Sequence, residues 1–177
     1  MKTGELLPAF SLPGIDGNSH DPADHADKKG VAVIFACNHC PHVHRYADRI
    51  KALVTTYGTD IGFIAISSND VVNYPEDSFE RMVEFGPRLG FDGAYVYDEN
   101  QDVARSFGAQ RTPEVFLFDN ERKLAYHGTV DDSKDFPDAV LTPWFKDAIE
   151  AVISGRRVEV EETEPVGCSI KWHANNE

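Results

Sequence analysis

The chain has 177 residues, 41% of them hydrophobic, and a formal net charge of −13. That length suits a single domain with a real core, and that charge argues against nucleic acid and anionic membrane surfaces, which need clustered Lys and Arg. No apolar run approaches the ~18–20 residues that span a bilayer, and the opening MKTGELLPAF lacks the apolar stretch of a secretory signal, so a cytoplasmic location is expected.

In chain order, PAFSLPGIDGNSHDP reads as a short strand, a Gly-containing turn and a loop, an N-terminal hairpin. VAVIFA (31–36) is a continuous apolar run of the kind a buried central strand shows. From Pro41 to Tyr57, Val43, Ala47, Ile50, Val54 and Tyr57 recur at helical spacing, with Gly58 placed to end the helix. GFIAISS (62–68) predicts a second buried strand. PEDSFERMVEFGPRLG then predicts a helix with Phe79, Met82, Val83 and Leu89 on one face. A short AYVY strand and a small helix in ENQDVARSFG follow. EVFLFD and KLAYHGTV are two strands joined by NERK, a hairpin by length and composition. Thr142 and Pro143 cap and begin a last helix whose apolar stripe is Trp144, Phe145, Ala148, Ile149, Val152 and Ile153, ending at Gly155. Strands alternating with helices imply a parallel half-sheet, to which the closing hairpin adds antiparallel strands. The expected fold is α/β: one domain over 1–177 with a mixed central sheet flanked by helices, an N-terminal hairpin extension and an extended tail over 156–177.

Chemistry concentrates in FACNHCPHVH (35–44), where two cysteines and three histidines share ten positions. Pro41 suits a first helical turn, where its missing N–H would have had no partner. That places Cys40 at the mouth of the helix, at the margin of its apolar arc, and Cys37 in the preceding loop, free to face solvent. A metal cage is one reading. His42 and His44 lie roughly 160° apart around the helix, so both cannot join Cys40 on one ion. Cys37, Cys40 and His44 could meet a metal only with a fourth ligand from elsewhere, and the second ligand pair expected of a zinc site is missing from the sequence. A dithiol asks for less. The C-x-x-C spacing allows a disulfide within one turn, and helix N–H groups and macrodipole stabilise a thiolate. With His39 adding positive charge between the cysteines, these effects are expected to lower the pKa of Cys37 from its ordinary ~8.5. Three cysteines are too few for a disulfide scaffold, which also points the close pair toward redox or metal chemistry.

VAVIFACNHCP, the later RTPEVFLFD and the strand–helix order together resemble the thioredoxin-fold redoxins, in particular the alkyl hydroperoxide reductase/thiol-specific antioxidant (AhpC/TSA) branch and its thiol–disulfide oxidoreductase relatives. The resemblance covers about residues 5 to 155. It implies a thioredoxin fold, with Cys37 attacking, Cys40 resolving, and Thr112-Pro113 forming a cis-proline loop that cradles a partner's backbone. The implied activity is disulfide exchange without a cofactor or metal, its partners being protein or small-molecule disulfides and a thiol electron donor. Peroxide reduction is the enzymatic alternative; metal handling through Cys37, Cys40 and His44 is the other. The histidine in CNHC matches protein disulfide isomerase-like members and implies a more oxidising poise than thioredoxin's. Two positions depart from the pattern. Thioredoxin's buried aspartate is replaced by Val31, which would pass proton handling to Glu114 or water. Peroxiredoxins' threonine, three residues before their reactive cysteine, is here Cys37.

In the tail, Val166, Cys168, Ile170 and Trp172 alternate with small or polar residues, so an extended chain points all four one way, toward the protein. Cys168 is then either a small buried hydrophobe or an extra resolving thiol near Cys37 or Cys40. The EVEVEETE run before it reads as a solvated connector.

Overall fold

The computed structural model describes residues 1–174. β1 (Leu12–Pro13) and β2 (Ser19–His20) pair antiparallel as the N-terminal hairpin. Then come β3 (Gly30–Ala36), α1 (Pro41–Tyr57), β4 (Ile61–Ser67), α2 (Phe79–Phe85), β5 (Tyr95–Tyr97), α3 (Asp102–Phe107), β6 (Arg111–Thr112), β7 (Glu114–Phe118), β8 (Leu124–Gly128), α4 (Trp144–Ile153) and β9 (Cys168–Ser169). The central sheet runs β5-β4-β3-β7-β8. β3 is parallel to β4 and β4 to β5, while β7 is antiparallel to both β3 and β8. The mixed sheet expected from the order of elements is therefore present, with the apolar run of β3 at its centre.

Because side chains alternate across a sheet, β3 feeds two cores. Ala32, Ile34 and Ala36 meet α1, α2 and α4 through Val43, Tyr46, Ile50, Met82, Phe145 and Ile149. Val31, Val33 and Phe35 face the other way, onto α3 and Phe10. Phe107 of α3 is the hub of that second core. Its ring lies edge-on to Phe35, Phe116 and Phe118 at centroid distances of 5.3, 5.2 and 6.0 Å, an arrangement aromatic quadrupoles favour. Cys37 and Cys40 belong to the first core, so the end of β3 delivers the dithiol to the α1 face.

Three local expectations are corrected. The helix from Phe79 stops at Phe85, and a 3₁₀ turn covers Gly86–Leu89, since Pro87 has no N–H with which to continue the α-helix. Its buried face is Met82 and Phe85, while Val83 is 46% exposed. Before α4, Thr142 does not cap: Pro143 occupies the N-cap position, and the Thr142 N–H donates to the Asp132 carboxylate at 3.0 Å. Finally, the acidic connector is not simply solvated. His127 N donates to the Glu161 carbonyl and Thr163 N to the His127 carbonyl, both at 3.0 Å, so residues 161–163 extend the edge of β8. Gly128 permits that approach: at its φ of +150°, a Cβ would lie 2.1 Å from the Thr163 hydroxyl.

Candidate functional site

Cys37 follows the last residue of β3, and Cys40 is the N-cap residue of α1 with Pro41 in the first turn, as the spacing predicts. Exposure differs from the expectation. Cys37 is not free to face solvent: it is 1% exposed and Cys40 0%. Cys37 is enclosed by Thr112, Cys40 and the His39–Asp77 pair, while the C-terminal tail, which sequence patterning places near the protein but not over any particular surface, packs against the same core beside Cys40. β9 pairs antiparallel with β6, setting Cys168 opposite Thr112 and Ser169 opposite Arg111. Ile170 N extends the pairing to the Gln110 carbonyl at 2.9 Å. Gly167 lies so close to the Thr112–Pro113 peptide that a Cβ would stand 2.0 Å from the Thr112 carbonyl oxygen.

Cys37 and Cys40 pack in one core, Cys168 packs against it from the tail, and Thr112 is shared by all three. Thr112 supports the cluster: its hydroxyl lies 3.6 Å from Cys37 Sγ, and its carbonyl is 3.3 Å from Cys40 Sγ. Within the pair the two thiols shift in opposite directions, where the sequence predicts a lowered Cys37. Cys40 is held well below the ordinary thiol value, chiefly by the Cys37 thiol donating to it, with help from Cys168, Thr112 and the Val43 N–H of the helix N-terminus, against the opposing effect of burial. Cys37 is pushed up by its hydrogen bond to Cys40, by burial and by the nearby charge of Asp77. Cys168 is raised to about 11 by burial and by its contact with Cys40. The Thr112 carbonyl, an acceptor for a Cys40 S–H, favours the protonated thiol but is outnumbered by donors.

Asp77, which the sequence reading absorbed into a helix cap, is the second centre. Its carboxylate is fully buried and takes four bonds: from Asn38 N (2.8 Å), His39 N (3.2 Å), His39 Nδ1 (2.5 Å) and Asn69 Nδ2 (2.9 Å). Ser78 alone serves as the cap of α2. Two cap-type residues in succession, of which a helix needs one, were the signal available in PEDS. His39 is thus close to Cys37, as expected, but its Nδ1 is committed to Asp77 and its ring stacks on Tyr74 at 5.6 Å. Asn38, between the cysteines, donates to the Glu76 and Ser78 carbonyls and accepts from Tyr95 Oη at 2.8 Å, which fixes the loop.

Thr112-Pro113 is a cis peptide beside the thiols, as the resemblance implies. Glu114 does not join them. It alternates with Val115 and Leu117, which share the core of the cysteines, so it points to the opposite face. There it accepts from Gln110 N (2.7 Å) and Arg111 N (3.0 Å) and pairs with His127 Nε2 (2.7 Å). Its role is to shape the β6 turn, and proton handling at the thiols is out of its reach. In the tail, Ile170 is buried and Cys168 meets the thiols, but Val166 is 37% exposed. The last three residues of the expected tail lie outside the described residues. The set Cys37, Cys40 and His44 is not assembled for a metal: His44 Nε2 is committed to the Asn38 carbonyl at 2.5 Å. Cys37, His39 and Asp77 do converge within 4.8 Å, but all four bonds of the carboxylate are already directed at N–H groups. Among the described residues no helix is long and apolar enough to cross a membrane.

Comparison with known proteins agrees with this geometry. A solved structure of a hypothetical protein from Sinorhizobium meliloti is 33% identical, with a TM-score of 0.91 over 98% of this chain and 96% of that one. A peroxidoxin from Mycobacterium tuberculosis (20% identical, TM-score 0.64, 88% and 97% covered) shares the thioredoxin fold. So does a thiol:disulfide interchange protein from Chlorobium tepidum (14%, 0.65, 86% and 99%). Among curated relatives, a 71-residue stretch is 35% identical to the alkanal monooxygenase β chain of Photorhabdus laumondii, covering 40% of this chain but only 22% of that one. The Redoxin family profile matches residues 2–141, from the N-terminal hairpin through the dithiol and the proline loop to the approach of α4. The chain therefore belongs to the redoxin family, a thioredoxin-fold family of oxidoreductases.

Proposed function

We propose that this redoxin is a thiol–disulfide oxidoreductase in which Cys40 is the sulfur at the centre of exchange and Cys37 its inner partner. The observation that carries the reading is the placement of Cys40 at the N-terminus of α1, packed with Cys37 on one side and Cys168 on the other around Thr112. A low-pKa thiolate is the better leaving group, so an outside thiol that attacks the partner sulfur of a disulfide containing Cys40 expels Cys40. To close the inner disulfide, the Cys37 thiol loses its proton and displaces whatever sulfur Cys40 carries. His39 lies within 4.8 Å of Cys37, held in place by Asp77, and is the group we assign to take that proton, the task the sequence alone assigned to Glu114 or water. Overall, one substrate disulfide and two chain thiols become two substrate thiols and one chain disulfide. The partners are then disulfides and a thiol donor, and the cytoplasm is the proposed compartment.

The burial of Cys40 also favours a second reading. A hydroperoxide is small enough to reach a shielded thiolate; attack on its O–O bond would leave a sulfenic acid and release the alcohol (water from hydrogen peroxide), and a neighbouring thiol would then condense with the sulfenic acid to a disulfide, releasing water. The test uses the full chain with dithiothreitol as donor, following the reduction of glutathione disulfide and of hydrogen peroxide in parallel. Disulfide turnover that vanishes in Cys40→Ser supports the first reading, and peroxide turnover faster than disulfide turnover selects the second. A Cys40→Ser protein that keeps half its disulfide turnover contradicts both.

A further inference from the structure

The three sulfurs differ in reach. Cys37 and Cys40 are closed off, whereas Cys168 is partly exposed and packs against the core that holds Cys40, both meeting Thr112. The segment that carries it is a strap fastened at both ends. On one side, Thr163 N bonds the His127 carbonyl, and its hydroxyl accepts from Thr129 N at 3.0 Å and pairs with Tyr126 Oη at 2.7 Å. On the other, Lys171 N donates to Asn69 Oδ1 (2.9 Å), and its carbonyl accepts from Asp70 N (2.8 Å) and Gln101 Nε2 (2.9 Å). Between the two, Gly167 packs onto the Thr112 carbonyl with no room for a side chain, and Cys168 pairs with Thr112. The strap therefore fills the free edge of β6, where an external strand would otherwise align beside the thiols.

We infer that Cys168 is the sulfur through which the buried pair exchanges with the outside, and that its partners are low-molecular-weight thiols and disulfides. This rests on the redox reading above and deepens it. In the oxidised form that faces solvent, Cys40 and Cys168 share the disulfide. An external thiolate RS⁻ attacks the accessible Cys168 sulfur; the Cys168–Cys40 bond breaks, Cys40 leaves as thiolate, and Cys168 carries –S–R. A second RS⁻ attacks the sulfur of R, forming RSSR and returning Cys168 as a thiolate that takes up a proton. Two external thiols are oxidised and one chain disulfide is reduced. Exchange with the inner pair needs no outside oxidant: the Cys37 thiolate displaces Cys168 from Cys40, and the reverse step restores it. A protein strand seeking the β6 edge meets the strap instead, which is why small partners are selected.

The test uses glutathione and glutathione disulfide as probes on the full chain. In Cys40→Ser, brief exposure to glutathione disulfide followed by acid quench and peptide mass mapping should place the glutathionyl group on Cys168; placement on Cys37 overturns the inference. In Cys168→Ser, checked for an unchanged melting profile, reduction of the oxidised chain by glutathione should slow at least tenfold. A rate within twofold of wild type overturns the inference while leaving the redox reading intact if Cys40→Ser is inactive. A Cys40→Ser protein with full turnover removes that reading itself. The double variant Gly167→Ala/Cys168→Ser lifts the strap without supplying its thiol. Recovery of exchange relative to Cys168→Ser, with glutathione now mapped to Cys40, supports the strap as the barrier, and a rate as slow as that of Cys168→Ser refutes it.

Discussion

Replacing Asp77 with asparagine removes one acceptor from a carboxylate that serves four donors. The amide oxygen can keep the two backbone N–H groups of Asn38 and His39, now 2.8 and 3.2 Å from Oδ1. The new NH₂ then faces His39 Nδ1 and Asn69 Nδ2. A neutral histidine can present Nδ1 as an acceptor, but Asn69 offers a second donor. Turning the Asn69 amide over would cure that contact only by breaking its bond from Oδ1 to Lys171 N, which fastens the strap. The cost is one hydrogen bond to a charged group, worth ~1.5–3 kcal/mol, plus a stranded buried donor at ~1–3 kcal/mol, so about 3 kcal/mol is a conservative total. For a chain of this size each kcal/mol lowers the melting point by roughly 2–4 °C, giving a fall of about 6–12 °C. Calorimetry on the reduced protein measures it, and alkylation of Cys168 should quicken in the same variant as the Lys171 anchor loosens. A melting point within about 2 °C of wild type would show that the carboxylate does not organise the site.

Ultraviolet titration of the reduced chain should reveal one thiolate persisting well below pH ~8.5, absent in Cys40→Ser and shifted upward in Cys37→Ser, which removes its main donor. Because the folded Cys40 value is depressed, its contribution to stability is complete above the unfolded thiol value and is lost as pH falls toward the folded one. Cys37, pushed up, contributes below the unfolded value and loses that contribution as pH rises. The stability difference between wild type and Cys40→Ser should therefore shrink from pH 9 to pH 5, and a difference that grows on acidification refutes the assignment. Glu114→Gln should lower the unfolding free energy by about 1–3 kcal/mol through its bonds to Gln110, Arg111 and His127, yet leave the pH profile of disulfide exchange unmoved, since the group lies across the sheet. Arg49→Ala should destabilise by about 3–5 kcal/mol in urea unfolding, because it strands the nearly buried Asp131, with which Arg49 pairs at 2.8 Å.

The sequence carries the frame of this site more fully than its chemistry. β3, β4 and α1 follow from continuous apolar runs and 3.6-residue periodicity, signals that local burial makes strong. Cys40 at a helix mouth follows from Pro41 alone. What escapes is long-range. The burial of Cys37 depends on Thr112 and Asp77, which only tertiary packing brings to it, and nothing in PVGCSIKW states which edge the tail will pair with. Alternation turns Cys168 and Ile170 inward, but onto different cores: Cys168 packs with the dithiol and Ile170 with the opposite face of the sheet, while Val166 stands exposed where the strap first arrives. Asp77 reads as a cap because its neighbours are cap-like, and only tertiary packing turns it toward the Asn38–His39 backbone. Glu114 looks close to the thiols by chain distance from Pro113, and strand alternation carries it to the far face. The order of thiol acidities likewise depends on donors from three separate segments, which no spacing rule encodes.

Disulfide mapping of the wild-type chain, equilibrated across a series of glutathione redox buffers, addresses the centre of the account most directly. A hub at Cys40 requires that the intramolecular linkages found be Cys37–Cys40 and Cys40–Cys168, exchanging as the buffer changes. A Cys37–Cys168 linkage, or an oxidised chain in which Cys40 stays a free thiol, would contradict it.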